Sequence, residues 1–136
     1  AVLSAAGRKS EAAEANQTAV ALSPRDAEAH YNLGVVLQEL ERLDKAEQSY
    51  RQAIVLNPDY AEAYSNLGIT LHELGRLDDA EFSFNKAIAL RPDFAEAHGN
   101  LGKILLSKGQ HREGLNEILL GEGIVSLNLK DGMSIL

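Results

Sequence analysis

Apolar residues recur at helical spacing along most of this chain. Leu67, Leu71 and Leu74 stand at i, i+4 and i+7, and Leu77, Ala80, Phe84, Ala87, Ile88 and Leu90 keep the same rhythm. Gly75 separates the two stripes, so the spacing predicts two amphipathic helices joined by a short turn. The pattern then repeats. Pro24, Pro58 and Pro92 lie 34 residues apart, and Asn-Leu-Gly recurs at 32–34, 66–68 and 100–102. A constant period of this length marks a two-helix repeat. It predicts first helices over 26–39, 60–73 and 94–107, and second helices over 43–56, 77–90 and 111–120.

Side-chain chemistry sharpens the boundaries. Asp59 with Glu62, Asp93 with Glu96, Asp44 with Glu47 and Asp78 with Glu81 have the spacing of capping boxes. In the first unit Arg25 replaces the acid, which leaves Ser23 or Asp26 to cap. The prolines suit the turn before each first helix. Gly34, Gly68 and Gly102 fall mid-helix, where glycine costs about 1 kcal/mol against alanine. Three such costs at one register predict close approach of the partner helix. Ala46 and Ala80 read the same way, with Gly114 in the last unit, and Tyr50 and Phe84 are expected to fill the gap between units.

The ends depart from the period. Gly7 shares the register of Gly75 and Gly109, so residues 1–6 read as the end of a first helix and 10–22 as its partner. The array thus covers 1–120, as a half repeat 1–23 and repeats 24–57, 58–91 and 92–120. Over 121–136, Val125, Leu127 and Leu129 alternate with polar residues before Lys130-Asp131-Gly132, a pattern that predicts a short β-hairpin tail. A truncated array exposes apolar ends, and these or the tail offer a route to self-association.

Composition narrows the function. The length, 136 residues, suits one domain, and a formal charge of -7 makes a nucleic-acid backbone an unfavourable ligand. Cysteine is absent, which excludes disulfides, thiolate zinc sites and a cysteine nucleophile. No apolar run approaches the roughly 20 residues that span a bilayer, and no secretory signal is visible, so a cytoplasmic setting is favoured. His72-Glu73 lacks the second histidine of a zinc-binding helix, His30 and His98 share a packing register, and His111 falls at a turn. No catalytic constellation, cofactor or metal site is predicted.

Leu67-Gly68, Ala80, Phe84, Ala87 and Pro92, matched by Leu33-Gly34, Ala46, Tyr50, Ala53 and Pro58, resemble the tetratricopeptide repeat (TPR) pattern. His30, Tyr64 and His98 stand where that family carries Trp. The resemblance runs from about Gly7 to Leu120 and implies an all-α, right-handed superhelix of helix pairs, about three and a half repeats long. It also implies a concave groove, lined by the first helices, that holds other proteins or peptides.

Asn32, Asn66 and Asn100 precede the leucine that faces the partner helix, which puts them on the groove side. A row of amides can both donate to and accept from an extended peptide backbone. The row is similar to that of the repeat region of O-linked N-acetylglucosamine transferase. Glu28, Glu62 and Glu96 lie one turn earlier; Glu39 and Glu73 extend the acidic field, and Lys103 interrupts it. Helix capping and the helix dipole account for part of the Glu row. Val35 and Ile69 offer small apolar pockets. The expected function is a non-catalytic scaffold for an extended neutral or basic peptide. The alternatives are the recognition arm of a larger modifying enzyme, such as a glycosyltransferase, and a self-associating module.

Overall fold

The computed structural model describes residues 5–123, and every element among them is an α-helix. The order is α1 (Ala5–Leu22), α2 (Ala27–Glu39), α3 (Leu43–Leu56), α4 (Ala61–Glu73), α5 (Leu77–Leu90), α6 (Ala95–Ser107) and α7 (His111–Gly121). Helices α2 to α7 lie within a residue or so of the predicted limits. The expected hairpin lies beyond Gly123, outside the described residues.

Helices α2/α3, α4/α5 and α6/α7 form three antiparallel pairs, each closed by the same turn. Arg42, Arg76 and Gln110 donate their backbone N–H to the carbonyls of Leu37, Leu71 and Leu105 at 2.9, 2.9 and 2.8 Å. This six-residue closure requires a left-handed residue just past the helix. Gly75 (φ 80°) and Gly109 (φ 81°) supply it freely; Glu41 adopts φ 59° at the same register and carries the steric penalty of its Cβ.

Two sequence expectations change here. Helix α1 runs unbroken through Gly7, because the left-handed turn depends on a preceding helix folding back, and none is present among the described residues. The Ala-rich start of α1 extends the helix instead. The expected capping boxes do not form either. Among the described N-caps only Asp26 caps through its side chain, accepting from the N–H of Glu28 at 3.0 Å and of Ala29 at 3.4 Å. The equivalent N-cap positions hold Tyr60 and Phe94, and Arg42 and Arg76 precede α3 and α5; none of the four makes a side-chain cap bond. Asp44, Asp78 and Asp79 remain in first turns, where their charge suits the dipole.

The core is a ring on a glycine, repeated. Tyr50 and Phe84 are fully buried, and a Cβ on Gly34 or Gly68 would come within 2.7 or 2.8 Å of the Tyr50 or Phe84 ring. Each ring therefore packs on the glycine of its own unit. In the third pair no aromatic intervenes. A Cβ on Gly102 would meet the Gly114 carbonyl oxygen at 2.6 Å, and one on Gly114 would meet the Gly102 carbonyl at 2.8 Å. Backbone lies directly on backbone there.

Units stack through α3 on α4 and α5 on α6. The first helices also touch in sequence, α2 with α4 and α4 with α6, whereas no described contact joins α3 to α5 or α5 to α7. A stack close on one side and splayed on the other must bend, so α2, α4 and α6 form the inner wall of a right-handed superhelix. On the turn side, Arg76 Nη1 reaches Glu47 at 2.8 Å, and Lys108 Nζ reaches Glu81 at 2.7 Å and Asp78 at 2.6 Å. The register of Glu47 and Glu81 holds Ala13 in α1, which is buried at that junction instead.

Gly102→Ala therefore destabilises the fold by about 1–3 kcal/mol through overpacking, despite gaining about 1 kcal/mol of helix propensity. Gly99→Ala, whose Cβ would enter open space in the same helix, gains the propensity alone. Urea unfolding of the two variants separates the effects, and equal midpoints would contradict the backbone contact.

Candidate functional site

Helices α2, α4 and α6 carry the polar residues expected to line a groove, and three tyrosines lie near several of them. Asn66, half-buried on α4, donates from Nδ2 to the Tyr31 hydroxyl of α2 at 3.0 Å. Tyr31 in turn packs on Tyr60 with ring centroids 5.0 Å apart and on Tyr50 at 5.9 Å. The Tyr50 hydroxyl donates to Gln38 Oε1 at 2.7 Å. Asn32 is exposed and Asn100 half-buried, and neither makes a side-chain hydrogen bond among the described residues. Asn66 thus keeps its carbonyl oxygen for another partner, while Tyr31 retains its hydroxyl proton.

Carboxylates surround this cluster. Burial raises the Tyr31 phenol above its ordinary value, and the charges of Glu62 and Glu96 add to the rise, with the Asn66 bond opposing it. Tyr60 is pushed up to about 12, by burial first, then by Tyr31, Glu28 and Glu62. Burial also pushes the Tyr50 phenol far up, and Glu39 and Glu73 contribute. All three stay neutral hydroxyls at ordinary pH. Their environment is acidic.

Of these carboxylates only Glu62 is paired. It accepts from Arg91, whose guanidinium also lies 4.6 Å above the Phe94 ring. Burial works against the Glu62 charge, but the arginine outweighs it and holds the carboxyl below its usual range. Glu28, Glu39, Glu73 and Glu96 are exposed and make no ion pair among the described residues. Val35 and Ile69 are half-buried against the core cluster, and Lys103 is exposed. Sequence reasoning missed Tyr31, Tyr60 and Arg91. For Tyr31 and Arg91 the available signal was failure to repeat, since position 31 is followed by Ser65 and Gly99, and Arg91 is preceded by Asn57; Tyr60 does recur, as the aromatic Phe94.

Two of the four histidines, His30 and His98, serve structure. His30 Nε2 lies 2.9 Å from the Pro24 carbonyl, and His98 Nε2 lies 2.7 Å from the Pro92 carbonyl at the same register. His98 is buried, and its Nδ1 lies 2.5 Å from Glu117 Oε2, linking α6 to α7. Both ring nitrogens face acceptors, which suits the imidazolium, a donor at both nitrogens. Burial alone would depress the imidazole, but the Glu117 and Pro92 bonds outweigh it and hold it above its ordinary value. No group of three metal-ligating side chains occurs among the described residues, and no described helix is long and apolar enough to cross a membrane.

The outer face carries a different feature. A notch of about 280 Å³ opens between α3 and α5, lined by Ile54, Val55, Tyr64, Leu67 and Phe82. Phe82 is 62% exposed and Val55 72% exposed, large values for apolar side chains.

Helix pairs stacked into a curved solenoid with a continuous inner wall define a helical-repeat scaffold. Three family profiles match the chain, described as tetratricopeptide repeat over residues 25–93, TPR repeat over 2–41 and tetratricopeptide repeat over 83–116. The chain belongs to the tetratricopeptide repeat family. Among solved structures it is similar to one titled "Crystal structure of MamA", with TM-score 0.81 and 29% identity over 86% of this chain and 68% of the other. A second, "Crystal structure of MamA protein", gives TM-score 0.78 and 28% identity over 88% and 70%. A MamA from Desulfovibrio magneticus RS-1 gives TM-score 0.78 at 22% identity over 86% and 66%, a likeness of fold alone. A search of the curated proteins finds no match. The family and the fold make the chain a protein-interaction scaffold.

Because the folded imidazole of His98 titrates above its unfolded value, its contribution to stability is fully present below about pH 6.5 and is lost as pH rises through the folded value. Urea midpoints measured from pH 6 to pH 9 should fall for the parent chain and fall less for His98→Gln. Parallel pH profiles for the two would remove this role.

Proposed function

We propose that the chain is a non-catalytic scaffold that holds an extended, neutral or basic segment of another protein along its inner wall. The observation that carries this reading is the unpaired carboxylate set, Glu28, Glu39, Glu73 and Glu96, on the first helices beside Asn32, Asn66 and Asn100. The amides serve the ligand backbone, which requires no particular side chain, and the carboxylates set its charge preference. Asn66 takes part through its carbonyl oxygen and through Tyr31, whose free hydroxyl proton supplies the donor that its Nδ2 has given up. Val35 and Ile69 offer shallow apolar contacts between the amides.

A second reading, association with another copy, is favoured by Phe82 and Val55 at the outer notch. Solvent-exposed aromatic surface beside a concave apolar opening is a common basis for association.

Two measurements test these readings. Panels of ten-residue Lys/Arg-rich and Asp/Glu-rich peptides should separate, with the basic set binding and weakening as salt rises. Replacing Asn32, Asn66 and Asn100 together with Ala should weaken that binding about tenfold or more, since each net hydrogen bond is worth about 1 kcal/mol; unchanged affinity with intact helix content removes the amide row. For the second reading, sedimentation of the parent chain should show a dimer that Phe82→Gln disperses, and a parent monomer throughout the micromolar range ends it.

A further inference from the structure

The molecule contains its own picture of a bound guanidinium. Arg91 sits between the Glu62 carboxylate of α4 and the Phe94 ring at the start of α6, hydrogen-bonded to one and stacked at 4.6 Å on the other. Moving back one repeat carries Glu62 to Glu28 and Phe94 to Tyr60. Both partners persist, a carboxylate and an aromatic ring at the N-cap of the next first helix. The cation does not: Arg91 is replaced by Asn57, whose side chain instead accepts from the Asp59 N–H at 3.1 Å. Glu28 is left exposed without an ion pair among the described residues, and Tyr60 is half-buried at the N-cap of α4.

We infer that the junction of the first two full repeats is a receptor for an arginine side chain of the bound segment, which takes the place at Glu28 and Tyr60 that Arg91 fills at Glu62 and Phe94. Three observations carry this beyond a patch of acids. The sister junction holds a guanidinium with the same pair of partner types. The phenol of Tyr60 is raised partly by the Glu28 charge, so the field of that carboxylate reaches the ring. Asp26, at the N-cap of α2, adds a further carboxylate to the field felt at Tyr60. Tyr31 covers one side of the Tyr60 ring at 5.0 Å, with its hydroxyl turned to Asn66. The guanidinium therefore stacks on the side of Tyr60 that Tyr31 leaves open. A planar cation suits this seat better than an ammonium, because it can stack on the ring while its N–H groups fork toward the carboxylate.

The inference rests on the groove reading for the remainder of the ligand, and its test does not. The probe is Nα-acetyl-arginine amide, titrated into the full chain and followed by backbone amide NMR shifts. The seat predicts saturable shifts at residues 26–31 and 57–62. Asn57→Arg installs the internal cation and should weaken the response about tenfold, as should Glu28→Gln. Arg91→Asn should do the reverse, opening a second seat with new shifts around Glu62 and Phe94. The arginine already accommodated at position 91 indicates that the Asn57→Arg variant folds. Equal affinity in the parent and Asn57→Arg chains, or an equal response to Nα-acetyl-lysine amide, overturns the proposal. A persistent arginine response in the triple Asn variant would support the seat even if the amide row failed.

Discussion

Everything in this molecule depends on how closely two helices of a pair can approach. Burying an aromatic side chain stabilises by about 1.5–3 kcal/mol, which outweighs the roughly 1 kcal/mol cost of a mid-helix glycine. That balance explains why Gly34 and Gly68 persist under Tyr50 and Phe84. A larger residue at either site would displace a ring with no exposed surface and nowhere to move. The third pair meets the same requirement differently, with Gly102 against Gly114 and Ile118 in place of the ring. Close pairing is the constant, and the residues that achieve it vary.

Pairing alone would give a rod of separate hairpins. Curvature follows because first helices touch one another while second helices do not. The surfaces that result have opposite character. The first helices carry the Asn and unpaired Glu residues; the outer side is splayed, and its notch exposes Val55 and Phe82. Charged links across junctions, Arg76 to Glu47 and Lys108 to Asp78 and Glu81, lie on the turn side, where solvent screening keeps them weak. They serve better to fix the relation of one unit to the next than to hold the stack together.

The periodic features were legible from the sequence because they follow from local chemistry. Helix limits came from apolar spacing and from turn residues such as Gly75 and Gly109, and both act within a few residues. Features set across units were not legible. The caps failed because the N-cap register falls on Tyr60 and Phe94, aromatics that pack beside Tyr31 and under Arg91, and on Arg42 and Arg76 before the second helices. The turn at Gly7 failed because it needs a helix folded back upon α1. Asn66 to Tyr31 and Arg91 to Glu62 join residues about thirty positions apart, and no spacing rule announces such pairs.

A repeat protein separates structural from chemical information in a way that a single-copy fold cannot. Residues that recur in every unit, such as the leucines at 33, 67 and 101, are accounted for by packing that every unit needs. Residues that break the period carry no such explanation. Position 31 holds Tyr, then Ser65, then Gly99; position 57 holds Asn, then Arg91. Tyr31 is bonded to Asn66 across the first junction and Arg91 to Glu62 across the second, the latter a carboxylate that recurs. The recurring acid is satisfied at Glu62 and unsatisfied at Glu28, so the two junctions differ in the one cation that the second supplies to itself. Equal frames can therefore carry unequal chemistry, and the cation balance of one junction is not that of the next.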